Sequence, residues 1–186
     1  MIFDDFFEDP VRVRALINES EMRDRKYSDG VVYPNITELP ESVKDELYAS
    51  LTNLVGEIDP VLEFARYSFD NIRPPHWAHS DREIAGYLAL IYLTPDKEAE
   101  KFGTCTLKHR ALGFEIHPET ETQKDILLSH ANSRNDWDVM FSCPAKFNRL
   151  LILNAELIHA SLGEFGKDKT DGRLVISSFF NLRGPE

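Results

Sequence analysis

The segment His79-Ser80-Asp81-Arg82-Glu83-Ile84-Ala85-Gly86-Tyr87-Leu88-Ala89-Leu90-Ile91-Tyr92-Leu93 places a His-x-Asp directly ahead of the most apolar run in the chain. Residues 84–93 are nearly all apolar and run into Thr94-Pro95. Their length and flanks favour a buried strand over a helix. Residues two apart in an extended chain point to the same side, so His79 and Asp81 can both reach one ion.

Downstream of this segment the chain reads as strands. Residues 103–109, 147–154 and 173–182 are short and rich in apolar side chains, as are residues 62–69 on its upstream side. Residues 119–130 are polar around Ile126, Leu127 and Leu128 and read as helical, and Trp137-Asp138 reads as part of a polar loop that could act as a lid. Upstream lie two helical patterns. Asp9-Pro10 supplies an N-cap and a proline for the first helical position. Leu39-Pro40-Glu41 opens the second, where Val43, Leu47, Leu51, Leu54 and Val55 recur at spacings of three and four. Asp59-Pro60 is expected to close the helical region. The fold class is therefore α+β, mainly β, with N-terminal helices flanking a sandwich or jelly roll. Residues 60–182 can supply about eight short strands. A single domain is expected over 1–186, with a helical flank at 1–60 and the β core at 61–183.

Composition narrows the function. The chain has 186 residues, 42% apolar and 28% charged, which suits one soluble globular domain. No apolar run is long enough to span a bilayer, and the acidic start Met1-Ile2-Phe3-Asp4-Asp5-Phe6 is unlike a secretory signal. A cytoplasmic protein without a membrane partner is expected. The net charge of −11 disfavours nucleic acid, since Lys108-His109-Arg110 is the nearest approach to a basic patch. Cys105 and Cys143 are too few for a disulfide scaffold and are read as reduced thiols.

His159 follows the other strongly apolar strand. Two imidazoles and one carboxylate on one face of a metal are what non-haem Fe(II) oxygenases use, with three positions left open for cosubstrate and O₂. His79, Asp81 and His159 can supply that set. Taken singly each has a blander reading: a turn histidine, a turn or cap aspartate, a hydrogen-bonded buried imidazole. Arg173 adds weight, because an arginine inside an apolar strand is costly unless an anion pairs with it. Alternation puts Arg173, Val175 and Ser177 on one face, where a guanidinium and a hydroxyl suit a carboxylate. Tyr92 could donate a third hydrogen bond. A dicarboxylate held by Arg173 at one end and chelating iron at the other fits 2-oxoglutarate. Arg149 and Arg73 are the other candidate anchors. Alternatively, Arg173 is a strand-end residue reaching solvent beside Asp171.

These elements together resemble the Fe(II)/2-oxoglutarate-dependent oxygenases, and within them the prolyl-hydroxylase-like branch. The likeness runs in order over residues 62–182: the His-x-Asp, the strand ending Tyr92-Leu93, the glycine-led Gly103-Thr104-Cys105-Thr106-Leu107, the apolar Asn148-Arg149-Leu150-Leu151-Ile152-Leu153-Asn154 before His159, and Arg173 with Ser177. The resemblance implies a double-stranded β-helix (a cupin-like jelly roll), Fe(II) on His79, Asp81 and His159, and 2-oxoglutarate on Arg173, Ser177 and Tyr92. It implies a dioxygenase that hydroxylates a small molecule or a peptidyl side chain and releases succinate and CO₂. The alternative is a cupin-like metal- or sugar-binding protein without turnover, which would have no need of Arg173 and Ser177. Here His159 and Arg173 stand fourteen positions apart, with a polar turn at 163–169 between them. Trp77 shares the parity of His79, so it either lines the substrate mouth or packs as a core or rim aromatic. His76 and His109 could approach the pocket, but the surface or a turn is the expected place for each.

Overall fold

Local chemistry starts the helices where the sequence places them. In the computed structural model, which describes residues 1–26, 31–70, 75–95 and 97–184, Asp9 Oδ1 accepts the Arg12 amide at 2.9 Å. Pro10 opens helix α1 (Pro10–Glu19). Helix α2 (Glu41–Val55) buries Val43, Leu47 and Leu51 of the stripe its spacing predicts, whereas Leu54 is exposed and Val55 only partly buried; each fully buried side chain contributes roughly 1.5–3 kcal/mol relative to exposure. Helix α3 (Glu121–His130) is capped by Thr120, whose hydroxyl accepts the Gln123 amide.

The strands are β1 (Ile2–Phe3), β2 (Arg23–Lys26), β3 (Val32–Thr37), β4 (Ile58–Ser68), β5 (Tyr87–Tyr92), β6 (Thr104–His109), β7 (Trp137–Cys143), β8 (Arg149–Asn154), β9 (His159–Ser161) and β10 (Arg173–Leu182). They form a large sheet ordered β1-β8-β5-β10-β4-β3-β2 and a small one ordered β7-β6-β9. All of these pairings are antiparallel. From β4 onward the chain passes repeatedly between the two sheets. His79, just ahead of β5, bridges to His159 and so adds to the free edge of the small sheet.

Alternation along each strand divides the core. One face of the large sheet, with Ala65, Tyr67, Ile91, Leu150 and Ile176, packs under Val13, Ile17 and Leu47 of the helices. The other, with Leu88, Leu90, Tyr92, Leu153, Val175 and Phe179, faces inward and meets Cys143 and Ala145. The outer face of the small sheet, with Cys105, Leu107 and Ala160, is covered by Leu127 and Trp137. Both cysteines are free and buried.

Four local expectations need correction. The first sixty residues are not a helical flank alone, because β1, β2 and β3 lie among them and all three join the large sheet. The helical region closes before Asp59-Pro60, at Val55 with Gly56 as its cap, and Asp59-Pro60 lies within β4. Pro60 is accommodated at a register shift opposite Phe179 and Phe180, and bulges tolerate a missing N–H. Trp137 is not in a loop: it starts β7, is buried, and its indole N–H donates to the His130 carbonyl at 3.0 Å. His109 is not at the surface. It is 2% exposed at the end of β6, with its ring 4.9 Å from Phe114 and 5.0 Å from Trp137.

Candidate metal centre and anion anchor

His79, Asp81 and His159 come together, with one ligand atom from each lying within 4.8 Å of the others. Backbone pairing sets the two histidines side by side, since the His79 N–H donates to the His159 carbonyl at 3.1 Å and the reverse bond measures 2.8 Å. The Asp81 amide donates to the Ala155 carbonyl at 2.9 Å, which brings the carboxylate in beside them. The Nδ1 atoms of His79 and His159 lie 3.1 Å and 3.0 Å from the carbonyls of Trp77 and Leu157. A carbonyl only accepts, so Nδ1 carries a proton in each ring and Nε2 is the atom turned toward Asp81. Backbone acceptors behind both imidazoles are what metal-ligating histidines use to fix their tautomer. His159 Nε2 lies 3.2 Å from Asp81 Oδ2, and His79 Nε2 lies 4.0 Å from Asp81 Oδ1.

The electrostatics agree. Burial, with the neighbouring His159, pulls the His79 pKa down to about 4, keeping it neutral and able to ligate. Burial pushes the Asp81 carboxyl up, but the hydrogen bond from His159 and its charge outweigh this and leave the pKa below the ordinary value. Burial likewise works against a charged His159, and the Asp81 carboxylate reverses it, raising that pKa. A carboxylate facing two imidazoles in a dry setting suits a divalent cation.

The inner face continues from this cluster to Arg173. Thr106 pairs with His159 in register, and Thr104, two residues away on the same face, accepts a 2.8 Å hydrogen bond from the Tyr92 hydroxyl. Tyr92 pairs with Val175 of β10. Its ring lies 5.9 Å from the Arg173 guanidinium. Burial pushes the Tyr92 phenol well above its usual pKa, so it stays protonated. Arg173 is 8% exposed. Its Nε donates to the Phe102 carbonyl at 3.1 Å, and Nη1 lies 4.0 Å from Glu164 Oε2. Ser177 is half-buried on the same face, opposite Leu90 and Phe64.

The same arrangement of strands occurs in solved structures. HygX from Streptomyces hygroscopicus, crystallised with nickel and 2-oxoglutarate, matches with a TM-score of 0.64 at 13% identity, covering 98% of this chain and 82% of that one. The α-ketoglutarate-dependent carbocyclase SnoK from nogalamycin biosynthesis matches at 0.60 and 12%, covering 97% and 78%. The epimerase SnoN from nogalamycin biosynthesis matches at 0.57 and 11%, covering 97% and 77%. This chain has their fold. The sequence itself matches no family model and no curated protein.

The remaining candidates divide. Trp77 donates its indole N–H to the Ser161 carbonyl at 2.8 Å, packs against the outer cluster of the small sheet, and lies under the Arg134 guanidinium at 4.9 Å. Its carbonyl, rather than its ring, reaches His79. His76 is half-buried. Arg149 is engaged by Asp4 through bonds of 2.6 Å and 3.1 Å, and Arg73 lies outside the described residues. Two large concavities, of about 510 and 550 Å³, lie elsewhere, beside β2 and at the Gly86–Asn181 contact.

Sequence reasoning overlooked Arg14, Arg66 and Glu164. Arg66 shares the inner-face parity of Leu62 and Phe64, pairs with Val175, and its charge contributes to depressing His79. Arg14, 9% exposed in α1, donates to the carbonyls of Leu93, Lys169 and Thr170 at 2.6, 3.0 and 3.1 Å. Lys169 in return donates to Asn18 and Ser20 carbonyls at 3.0 and 2.7 Å. The segment leading into Arg173 is thereby clamped to α1. Because hydrogen bonds from charged donors contribute about 1.5–3 kcal/mol each, Arg14→Met is expected to cost about 2–4 kcal/mol. Urea unfolding checks this, and a midpoint shared with the wild type would refute it.

Proposed function

We propose that this chain is an Fe(II)- and 2-oxoglutarate-dependent oxygenase that hydroxylates a small molecule, built on a double-stranded β-helix. The observation that carries the proposal is the convergence of the Nε2 atoms of His79 and His159 with the Asp81 carboxylate, on an interior that also holds Arg173. The passage of the chain between two facing sheets supports the double-stranded β-helix. Two neighbours support a small-molecule substrate: HygX is crystallised with hygromycin B, and SnoN with nogalamycin RO.

In this reading His79, Asp81 and His159 would hold the ion, two imidazoles and one carboxylate being a donor set that suits Fe(II). Arg173 receives the distal carboxylate of the cosubstrate, with Ser177 and Tyr92 flanking it. The protonated Tyr92, tied to Thr104, presents a neutral wall beside that carboxylate. The apolar inner face of Leu88, Leu90, Leu153 and Phe179 keeps bulk water from the reacting carbon. Bound Fe(II) and 2-oxoglutarate supply the O₂ activation, with succinate and CO₂ as coproducts. Among the neighbours, SnoK is a carbocyclase and SnoN an epimerase, so the reaction outcome is assigned by product analysis. The test of the site is an anaerobic titration. Fe(II) and 2-oxoglutarate together, and neither alone, are expected to give a visible charge-transfer band with the folded protein. Its absence would end the proposal.

Charge bears on the substrate class. With 32 acidic against 21 basic side chains, the protein is expected not to bind single- or double-stranded DNA at physiological salt. Fluorescence anisotropy with labelled oligonucleotides checks this. Micromolar affinity falling linearly with the logarithm of salt would point to a nucleic-acid substrate.

A further inference from the structure

Glu164, between β9 and β10, is out of place for a solvated turn residue. Its side chain is 5% exposed. Its Oε2 is buried and has no hydrogen-bond partner among the described residues. A carboxylate in that state is costly and calls for a reason. Among the described residues it pairs with Arg173, whose Nη1 lies 4.0 Å from Oε2, beyond hydrogen-bonding distance. Arg173 itself commits, among the described residues, only Nε to a protein acceptor, the Phe102 carbonyl. The pair thus neutralises charge without either group making the bidentate contact its shape allows.

The surroundings hold Glu164 there. The Ser161 hydroxyl donates to the Gly163 carbonyl at 3.0 Å, and the Gly163 amide donates to the Ser161 hydroxyl at 3.3 Å. A side chain at Gly163 would meet the Phe102 ring at 2.8 Å. Phe165 lies against the same ring, with centroids 4.9 Å apart. The segment on either side of Glu164 is therefore packed, and the carboxylate is directed at the anchor by its neighbours.

We propose that Glu164 is an internal carboxylate that competes with the distal carboxylate of 2-oxoglutarate for Arg173 and so sets the affinity for the cosubstrate. The inference rests on the reading of Arg173 as the cosubstrate anchor. Without cosubstrate, Glu164 compensates the buried guanidinium, which would otherwise be an unpaired interior charge. An incoming carboxylate gains the Nη hydrogen bonds but meets the like charge of Glu164 beside the same guanidinium, and this opposes its binding.

The experiment compares wild type, Glu164→Gln and Glu164→Ala, each loaded anaerobically with Fe(II) or Ni(II). Two ligands are titrated: 2-oxoglutarate, and 2-oxopentanoate, which chelates alike but lacks the distal carboxylate. Thermal unfolding confirms that the variants are folded, and the alanine variant serves if the glutamine variant is not. The expected result is 2-oxoglutarate binding tightened by about tenfold or more, from removal of a like charge, with 2-oxopentanoate binding unchanged. Binding of 2-oxoglutarate by the variants and none by wild type is the extreme form of the same result. Equal 2-oxoglutarate binding in the variants would mean that Glu164 does not oppose the cosubstrate, and weaker binding that it positions Arg173; either would overturn the inference alone. Equal tightening of both ligands would also overturn it, since the effect would not pass through the distal carboxylate. If no protein binds 2-oxoglutarate while 2-oxopentanoate still chelates, the anchor reading falls and the inference with it.

Discussion

His159→Ala, His79→Ala and Asp81→Ala are each expected to abolish tight Fe(II) binding while the fold survives. Backbone groups hold the two histidines together, with each main chain donating to the other's carbonyl, and those bonds remain in an alanine variant. What disappears is the Nε2 or carboxylate lone pair. Loss of a group that merely orients a ligand costs roughly 10–100-fold in metal affinity, so loss of the ligand itself should cost more. Asp81→Ala also removes the charge that raises His159 and favours a cation at this point. The measurement is metal content after dialysis against a weak chelator, with circular dichroism as the check on folding. Two of the three variants retaining a full equivalent of iron would remove the centre from this position.

Arg173→Leu is expected to leave Fe(II) bound and to weaken 2-oxoglutarate by about 2–5 kcal/mol, the range for truncating one partner of a buried charge pair. Arg173→Lys keeps the charge but loses the planar fork, so it should recover only part of the affinity. The leucine variant strands Glu164 without its cation and will lose stability for that reason alone. The double variant Arg173→Leu with Glu164→Gln separates the two effects: stability returns, cosubstrate binding does not. Isothermal titration of the Ni(II)-loaded protein reads the affinity. An unchanged value would move the anchor to another cation, and Arg66, on the same face opposite Val175, is the first to examine.

Where an interaction is local, the sequence was readable. Asp9 caps α1 through an amide three residues away. The stripe of Val43, Leu47 and Leu51 is a matter of helical period, and the alternation of Arg173, Val175 and Ser177 a matter of strand period. Each follows from geometry within a few residues. The pairing of His79 with Asp81 was legible for the same reason. His159 was a weaker inference, because nothing within the sequence itself states that β9 lies beside residue 79; the backbone bridge between them does.

By itself, then, the sequence determined the candidate ligand types, the strand-rich character and the helix starts, since periodicity, capping and residue chemistry act over one or two turns of chain. Only the tertiary structure decided which edges pair and what becomes buried. It drew β1, β2 and β3 into the large sheet. It buried Trp137 and His109 against α3 and Phe114. It clamped the turn after β9 to Arg14 and brought Glu164 to Arg173. Those contacts join residues far apart in sequence or separated by a turn whose course no local preference sets. Their energy comes from shared burial and charge compensation, terms that exist only once the sheets have closed on each other.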